Sequence, residues 1–258
     1  MRPGVAVAVR VRARWPFPIG PAVAVLGWHR IDVEGGGLAV PPPVFARQMA
    51  ILGEHRQQFP VVDLDGARAV FSSGEFRARG VVLTFDDAWA DNHAHALGPL
   101  SRYRLPATLY APSRLLGEPG YMTRTQLLEM AAAGVSIGAH SRTHPDLRVC
   151  SPRELECEVR GSKEDLEDLL GRPVTSFAYP TGLIDDRVIA AVAEAGFTSA
   201  VTTRPGWWRP RTQTLRIPRS FVEDFSDTTH RAAIAGGLNI LGPLDAIKRL
   251  SHRHSGKS

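Results

Sequence analysis

Val81-Val82-Leu83-Thr84-Phe85-Asp86-Asp87 is an apolar run that stops on two adjacent carboxylates, and Asn92–Tyr103 behind it has the spacing of an amphipathic helix. A short β-branched run followed at once by a helix is half of a β–α unit. Neighbouring side chains on a strand point to opposite faces, so a turn after Phe85 can give Asp86 and Asp87 different tasks. In barrel-shaped α/β folds, reactive groups gather at the carboxyl ends of the strands, which is where this pair falls. A purely structural alternative is that Asp87 or Asp91 caps the following helix.

The same alternation extends in both directions. Strands are predicted at Ala22–Leu26, Gly80–Phe85, Ala107–Ala111, Val135–Ala139, Thr175–Tyr179, Thr198–Thr202 and Leu215–Ile217. Helices are predicted at Val44–Phe59, Asn92–Tyr103, Arg124–Ala133, Pro152–Leu170, Asp186–Ala195 and Asp227–Leu250. Gly134, Gly171 and Gly196 each sit just past a helical pattern, where a left-handed terminating residue belongs. About seven such units predict an α/β fold, a (β/α) barrel of parallel strands. No Pro- or Ser-rich linker and no internal repeat divides the 258 residues, so a single domain is expected. The barrel is assigned to 21–250, between a basic extension at 1–20 and a basic tail at 251–258.

With 43% hydrophobic and 22% charged residues, the composition is that of a globular chain and excludes disorder or a collagen-like repeat. No run approaches the roughly 18 apolar residues that a bilayer span needs. The formal charge of +5 is carried by the two ends. Residues 1–20 hold four Arg and no acid, and 248–258 hold Lys248, Arg249, Arg253 and Lys257, again with no acid. Without those eight charges the stretch 21–247 stands at −3, which argues against a nucleic-acid partner. The N-terminal apolar run Val5–Val9 is short and is followed by Arg10, Arg12 and Arg14, unlike an export signal, so cytoplasmic placement is expected. Ser151-Pro152-Arg153-Glu154 reads as a capping box. It puts Cys150 and Cys157 about 10 Å apart at 1.5 Å per helical residue, too far for a disulfide. Two reduced thiols agree with a reducing compartment.

A second strand, Val135–Ala139, runs directly into His140-Ser141-Arg142-Thr143-His144. Two His four residues apart can converge on one metal from a tight loop. One carboxylate and two imidazoles form the mixed nitrogen and oxygen set of a catalytic zinc site, with positions left for water and substrate. No Glu lies between the two His, so the base must come from elsewhere, and Asp86 is the obvious source.

The motifs TFDD at 84–87, HSRTH at 140–144 and FAYPTG at 177–182 resemble, in order and spacing, those of the polysaccharide deacetylase family (NodB homology domain, carbohydrate esterase family 4). The resemblance covers residues 20–220 or so and implies a distorted (β/α) barrel. It implies a metal-dependent hydrolase that removes N-acetyl groups from an amino sugar or N-acetylated glycan, polymeric or lipid-linked, and releases acetate. Carried onto this chain, it makes Asp87, His140 and His144 the ligands of a divalent metal, most plausibly Zn²⁺. Asp86 becomes the base, and the backbone N–H of Tyr179 becomes an oxyanion donor.

Three positions depart from the family pattern. Ala88 stands where Gly is usual, and it would be strained if φ there is positive. Ala178 replaces an Arg that steadies the base, a role that Arg204 or Arg219 could take over. Ile217 stands where a Leu-x-His motif supplies the general acid. The segment Gly27-Trp28-His29-Arg30, after the first strand, resembles the poly-N-acetylglucosamine deacetylase subgroup. There an N-terminal Tyr-His pair provides the acid, which makes His29 the acid here with Trp28 in place of the Tyr. The same residues are compatible with hydrolysis of another acyl or cyclic amide, or with carbohydrate binding without turnover.

Other features receive no function. Trp207-Trp208 could stack on sugar rings or pack a long loop onto the barrel. His93 with His95 should split between helix faces, and His252 with His254 should be tail. Gly35-Gly36-Gly37 reads as a connection, and Ser255-Gly256-Lys257-Ser258 lacks the opening Gly of a phosphate loop.

Overall fold

The computed structural model describes residues 20–33, 38–57, 60–72 and 79–222. In chain order these form β1 (Ala22–Trp28), α1 (Pro42–Glu54), α2 (Leu64–Ser72), β2 (Arg79–Phe85), α3 (Ala90–Tyr103), β3 (Thr108–Ala111) and α4 (Arg124–Ala132). There follow β4 (Ser136–Ala139), α5 (Pro152–Leu170), β5 (Ser176–Ala178), α6 (Asp186–Glu194), β6 (Ser199–Val201) and β7 (Ser220–Phe221). The seven strands make one sheet, ordered β6-β5-β4-β3-β2-β1-β7, in which every pairing is parallel. The expected α/β barrel is therefore present in curled form, as a single domain over the described residues. None of the described helices is long and apolar enough to cross a membrane.

The period of two decides which side chains meet. On β2, Val81, Leu83 and Phe85 join the core shared with the helices. Val82 instead joins Val23, Val25, Tyr110, Ala178, Val201 and Ile217 inside the curl of the sheet. Burying each Val, Leu, Ile or Phe among them stabilises the fold by about 1.5–3 kcal/mol. By the same alternation, Thr84 and Asp86 face inward with Val82.

Local signals act as expected at several helix ends. The Ser151 hydroxyl accepts from the Glu154 N–H, the Glu154 carboxylate accepts from the Ser151 N–H at 2.8 Å, and Gly171 closes α5 at φ 64°. Cys150 and Cys157 are both free. Helix α2 was not anticipated, because Gly66 near its start weakens the helical pattern. It begins where the Asp63 carboxylate accepts from the Gly66 N–H at 2.6 Å.

The predicted strand Leu215–Ile217 is displaced. Ile217 makes only an isolated parallel bridge to Val201, and the strand itself is Ser220–Phe221, paired with Leu26–Gly27 of β1. Pro218 between them has no N–H to continue a ladder. One short segment thus touches both edges of the sheet and closes it. The predicted helix at Asp227–Leu250, the residues 1–19, the tail at 251–258, Gly35–Gly37, His252 and His254 lie outside the described residues.

Candidate metal centre

At the carboxyl end of β2, Asp86 is 2% exposed and faces the guanidinium of Arg219, itself fully buried. Arg219 donates from Nη1 to Asp86 Oδ1 and from Nη2 to Oδ2, each at 2.6 Å. Its Nη1 also reaches Thr84 Oγ1 at 3.2 Å, and its Nε reaches the Thr202 carbonyl at 3.3 Å. Gly27 makes room for this arrangement, since a Cβ there would stand 2.8 Å from the Phe221 ring and 3.3 Å from Arg219 Cδ. Burial pushes the Asp86 carboxyl up, but Arg219, then His140 and His29, outweigh it and hold the group below its ordinary value. Of the two Arg expected to replace the one missing at Ala178, Arg219 holds Asp86, while Arg204 is exposed.

The chain then reverses. Asp87 has φ 69° and Ala88 has φ 53°, so position 88, where the resemblance leads to the expectation of Gly, is left-handed here. A left-handed non-Gly residue costs about 1–2 kcal/mol. The turn is held by bonds from the Met122 N–H to the Ala88 carbonyl at 2.8 Å and from the Ala90 N–H to the Gly120 carbonyl at 2.9 Å. Trp89 Nε1 donates to Asp87 Oδ2 at 3.1 Å and stacks on Tyr121, leaving Asp87 Oδ1 toward the two imidazoles.

His140 Nε2 and His144 Nε2 each lie 3.5 Å from Asp87 Oδ1. The candidate donor atoms of the three residues all fall within 4.8 Å of one another. Two donors at about 2.1 Å from a tetrahedral zinc stand about 3.4 Å apart, so the set fits a single divalent cation. His140 Nδ1 donates to the Ala178 carbonyl at 2.7 Å, which fixes the tautomer and frees Nε2. The His144 N–H donates to Ser141 Oγ at 3.0 Å. Burial raises the Asp87 carboxyl pKa, yet hydrogen bonding and charge from His140, with His29 and His144, bring it below the usual carboxylate range.

His29 emerges from the end of β1, stacks on Phe221 at 4.4 Å between centroids, and brings Nε2 to 3.9 Å from Asp86 Oδ2. Burial lowers its pKa, against the pull of Asp86 and Asp87. Its carbonyl accepts from Asn92 Nδ2 at 2.8 Å. Asp91, read as a possible helix cap, instead accepts from Arg30 Nε at 2.8 Å and from the Ile31 N–H at 3.1 Å, which fixes the loop carrying His29. Helix α3 begins with no side-chain cap. The structure therefore gathers Asp86, Asp87, His29, His140 and His144 at one rim of the sheet.

Other expectations are revised. The Tyr179 N–H, expected to face an oxyanion, donates to the Val201 carbonyl at 3.3 Å, because it continues the β5–β6 ladder. Its phenol donates to the Leu215 carbonyl at 2.9 Å. Trp28 is core: it is buried between Phe45 and Phe85 and bonds Gln48 Oε1 at 3.0 Å. Trp208 is likewise buried against Phe71, and Trp207 is half-buried on the core. His93 pairs with Glu129 at 2.7 Å. Sequence reasoning missed Trp89 and Phe221, whose placement depends on Tyr121 and on the pairing with β1, both distant along the chain.

A family model described as polysaccharide deacetylase matches residues 73–200. The chain is 28% identical to YxkH of Bacillus subtilis (strain 168) over 182 residues, 70% of this chain and 64% of that protein. It is 32% identical to a chitooligosaccharide deacetylase of Sinorhizobium fredii over 155 residues, 57% of this chain and 68% of that one. The solved structure of the Streptococcus pyogenes deacetylase PplD in complex with acetate superposes with a TM-score of 0.72 at 26% identity. That match covers 79% of this chain and 93% of PplD. The chain spans just under two thirds of YxkH. With the motifs on the rim where the barrel places them and these relatives alongside, the chain belongs to the polysaccharide deacetylase family.

Proposed function

We propose that this chain is a metal-dependent hydrolase that removes the N-acetyl group from an amino sugar in a glycan, free or lipid-linked, and releases acetate. The observation that carries the reading is the Asp87, His140 and His144 donor set beside Asp86, whose ionised form is held by Arg219. Asp87, His140 and His144 would hold a divalent cation, read as Zn²⁺, which when bound would supply Lewis acidity and make water more acidic. Asp86 takes the proton of the water that attacks the carbonyl carbon. As the carbon–nitrogen bond breaks, His29 gives a proton to the departing nitrogen, leaving acetate and a free amine. Phe221 and Asn92 keep the His29 ring and backbone in place for that transfer.

The test is acetate release from N-acetylhexosamine oligomers, with and without chelator. Release that stops on chelation and returns with added zinc is expected. Release that ignores the chelator overturns the mechanism. Zinc binding with no acetate from any N-acetylated glycan, or turnover of cyclic imides instead, overturns the substrate assignment.

The role of His29 has its own signature. His29→Ala is expected to lower kcat on an N-acetyl sugar by about 10²–10⁴-fold, the usual contribution of a general acid. An activated aryl acetate, whose leaving group needs no proton, should be hydrolysed at nearly the original rate. Equal losses on both substrates would remove His29 from the acid role.

A further inference from the structure

The loop between the two imidazoles is left-handed at Ser141 (φ 60°) and again at His144 (φ 62°), so its shape is imposed from outside. The support comes from one face of α5. The Glu158 carboxylate accepts from the Arg142 N–H at 2.8 Å, from the Thr143 N–H at 2.9 Å and from Thr143 Oγ1 at 2.7 Å. Successive backbone N–H groups curled about a carboxylate form an anion-binding nest, and Glu158 fills this one. Two turns further along, Asp165 receives the Arg142 side chain through Nε and Nη2, both at 2.9 Å. The other side of the loop is pinned by donation from the Ser113 N–H to the Ser141 carbonyl at 3.1 Å and from the Arg114 N–H to the Arg142 carbonyl at 3.0 Å.

Between the two acids lies Gly161. Positions 158, 161 and 165 follow the i, i+3, i+7 spacing of a single helical face. A Cβ at 161 would collide with the Arg142 guanidinium, standing 2.5 Å from Nε. A glycine inside a helix weakens it. Here its absent side chain is the space through which Arg142 crosses α5 to reach Asp165.

We infer that Glu158, Gly161 and Asp165 form the seat of the His140–His144 loop and are positioning residues for the two imidazoles. The inference rests on reading those imidazoles as cation ligands. Outer partners of metal ligands are worth about 10–100-fold in metal affinity. Gly161→Ala is therefore expected to weaken Zn²⁺ binding at least tenfold in a chelator-competition titration. Metal-free protein carrying it should melt close to the parent, because the better helix propensity of Ala offsets the loss of the part-exposed Arg142–Asp165 pair. Removing the obstacle's target should cancel the effect, so Gly161→Ala added to Arg142→Ala should cost no further affinity. Glu158→Gln should weaken zinc binding and speed amide hydrogen exchange at Arg142 and Thr143 in the metal-free protein.

Parental zinc affinity in Gly161→Ala and Glu158→Gln, with unchanged exchange at those amides, would overturn the seat. If the parent itself binds no zinc, the ligand reading fails. The exchange rates then still decide whether α5 orders the loop.

Discussion

Asp86→Asn is expected to lower acetate release by about 10²–10⁴-fold, the contribution of a positioned general base, while the protein still takes up one zinc. The amide is nearly the same size as the carboxylate but cannot accept the water's proton. Asp87, His140 and His144 remain, so the donor set is untouched. The substitution also strips Arg219 of its counter-charge in a buried site. Breaking one side of a buried pair costs about 3–5 kcal/mol, so the melting temperature should fall. Rates must therefore be compared at a temperature where circular dichroism shows both proteins folded. Near-normal turnover by folded Asp86→Asn would remove Asp86 from the base role.

Arg219→Met should be the most destabilising single change at the site, by about 3–5 kcal/mol at neutral pH. Met roughly fills the space of the aliphatic stem but leaves the Asp86 carboxylate buried and without its main partner. The sign of the pH dependence follows from the direction of the Asp86 shift. In the parent, the folded pKa lies below the unfolded value of about 3.9, so the pair's contribution is present above that value. It is lost as pH falls through the folded pKa. In Arg219→Met, burial acts with its main opponent gone, and the folded pKa should rise above the unfolded one. The variant should then lose stability as pH rises through the unfolded value toward the new folded one. Denaturation at several pH values should show a stability deficit that grows from acid to neutral. The acid limb of the rate profile should move upward, because the base role proposed for Asp86 requires its ionised form. A pH-independent deficit would mean that Arg219 serves packing alone. Asp86→Asn combined with Arg219→Met should cost less than the two separate losses together, since neither charge is then left unpaired.

The strands from β1 to β6 were legible because apolar alternation and helix-terminating glycines are local signals. The donor set was legible for a related reason: Asp86, Asp87, His140 and His144 sit at the ends of strands whose direction the pattern already gives. What escaped depends on register between distant segments. Arg219 could be named only as one of two candidates, because its reach to Asp86 depends on a pairing that begins three residues beyond Ile217. The family resemblance made the Tyr179 N–H an oxyanion donor, yet a ladder bond to Val201 engages it. Trp28 had the position of a site aromatic, but the inward set of β1 contains Val23 and Val25, and Trp28 falls on the opposite phase with Leu26. Gly161 carried no signal at all, since nothing in a helical pattern announces what crosses over it.

The closing segment at 217–221 supplies both the guanidinium on Asp86 and the ring on His29. Because one short stretch carries both groups, a change that loosens the Ser220–Phe221 pairing with Leu26–Gly27 should disturb the Arg219–Asp86 contact and the His29–Phe221 stack together.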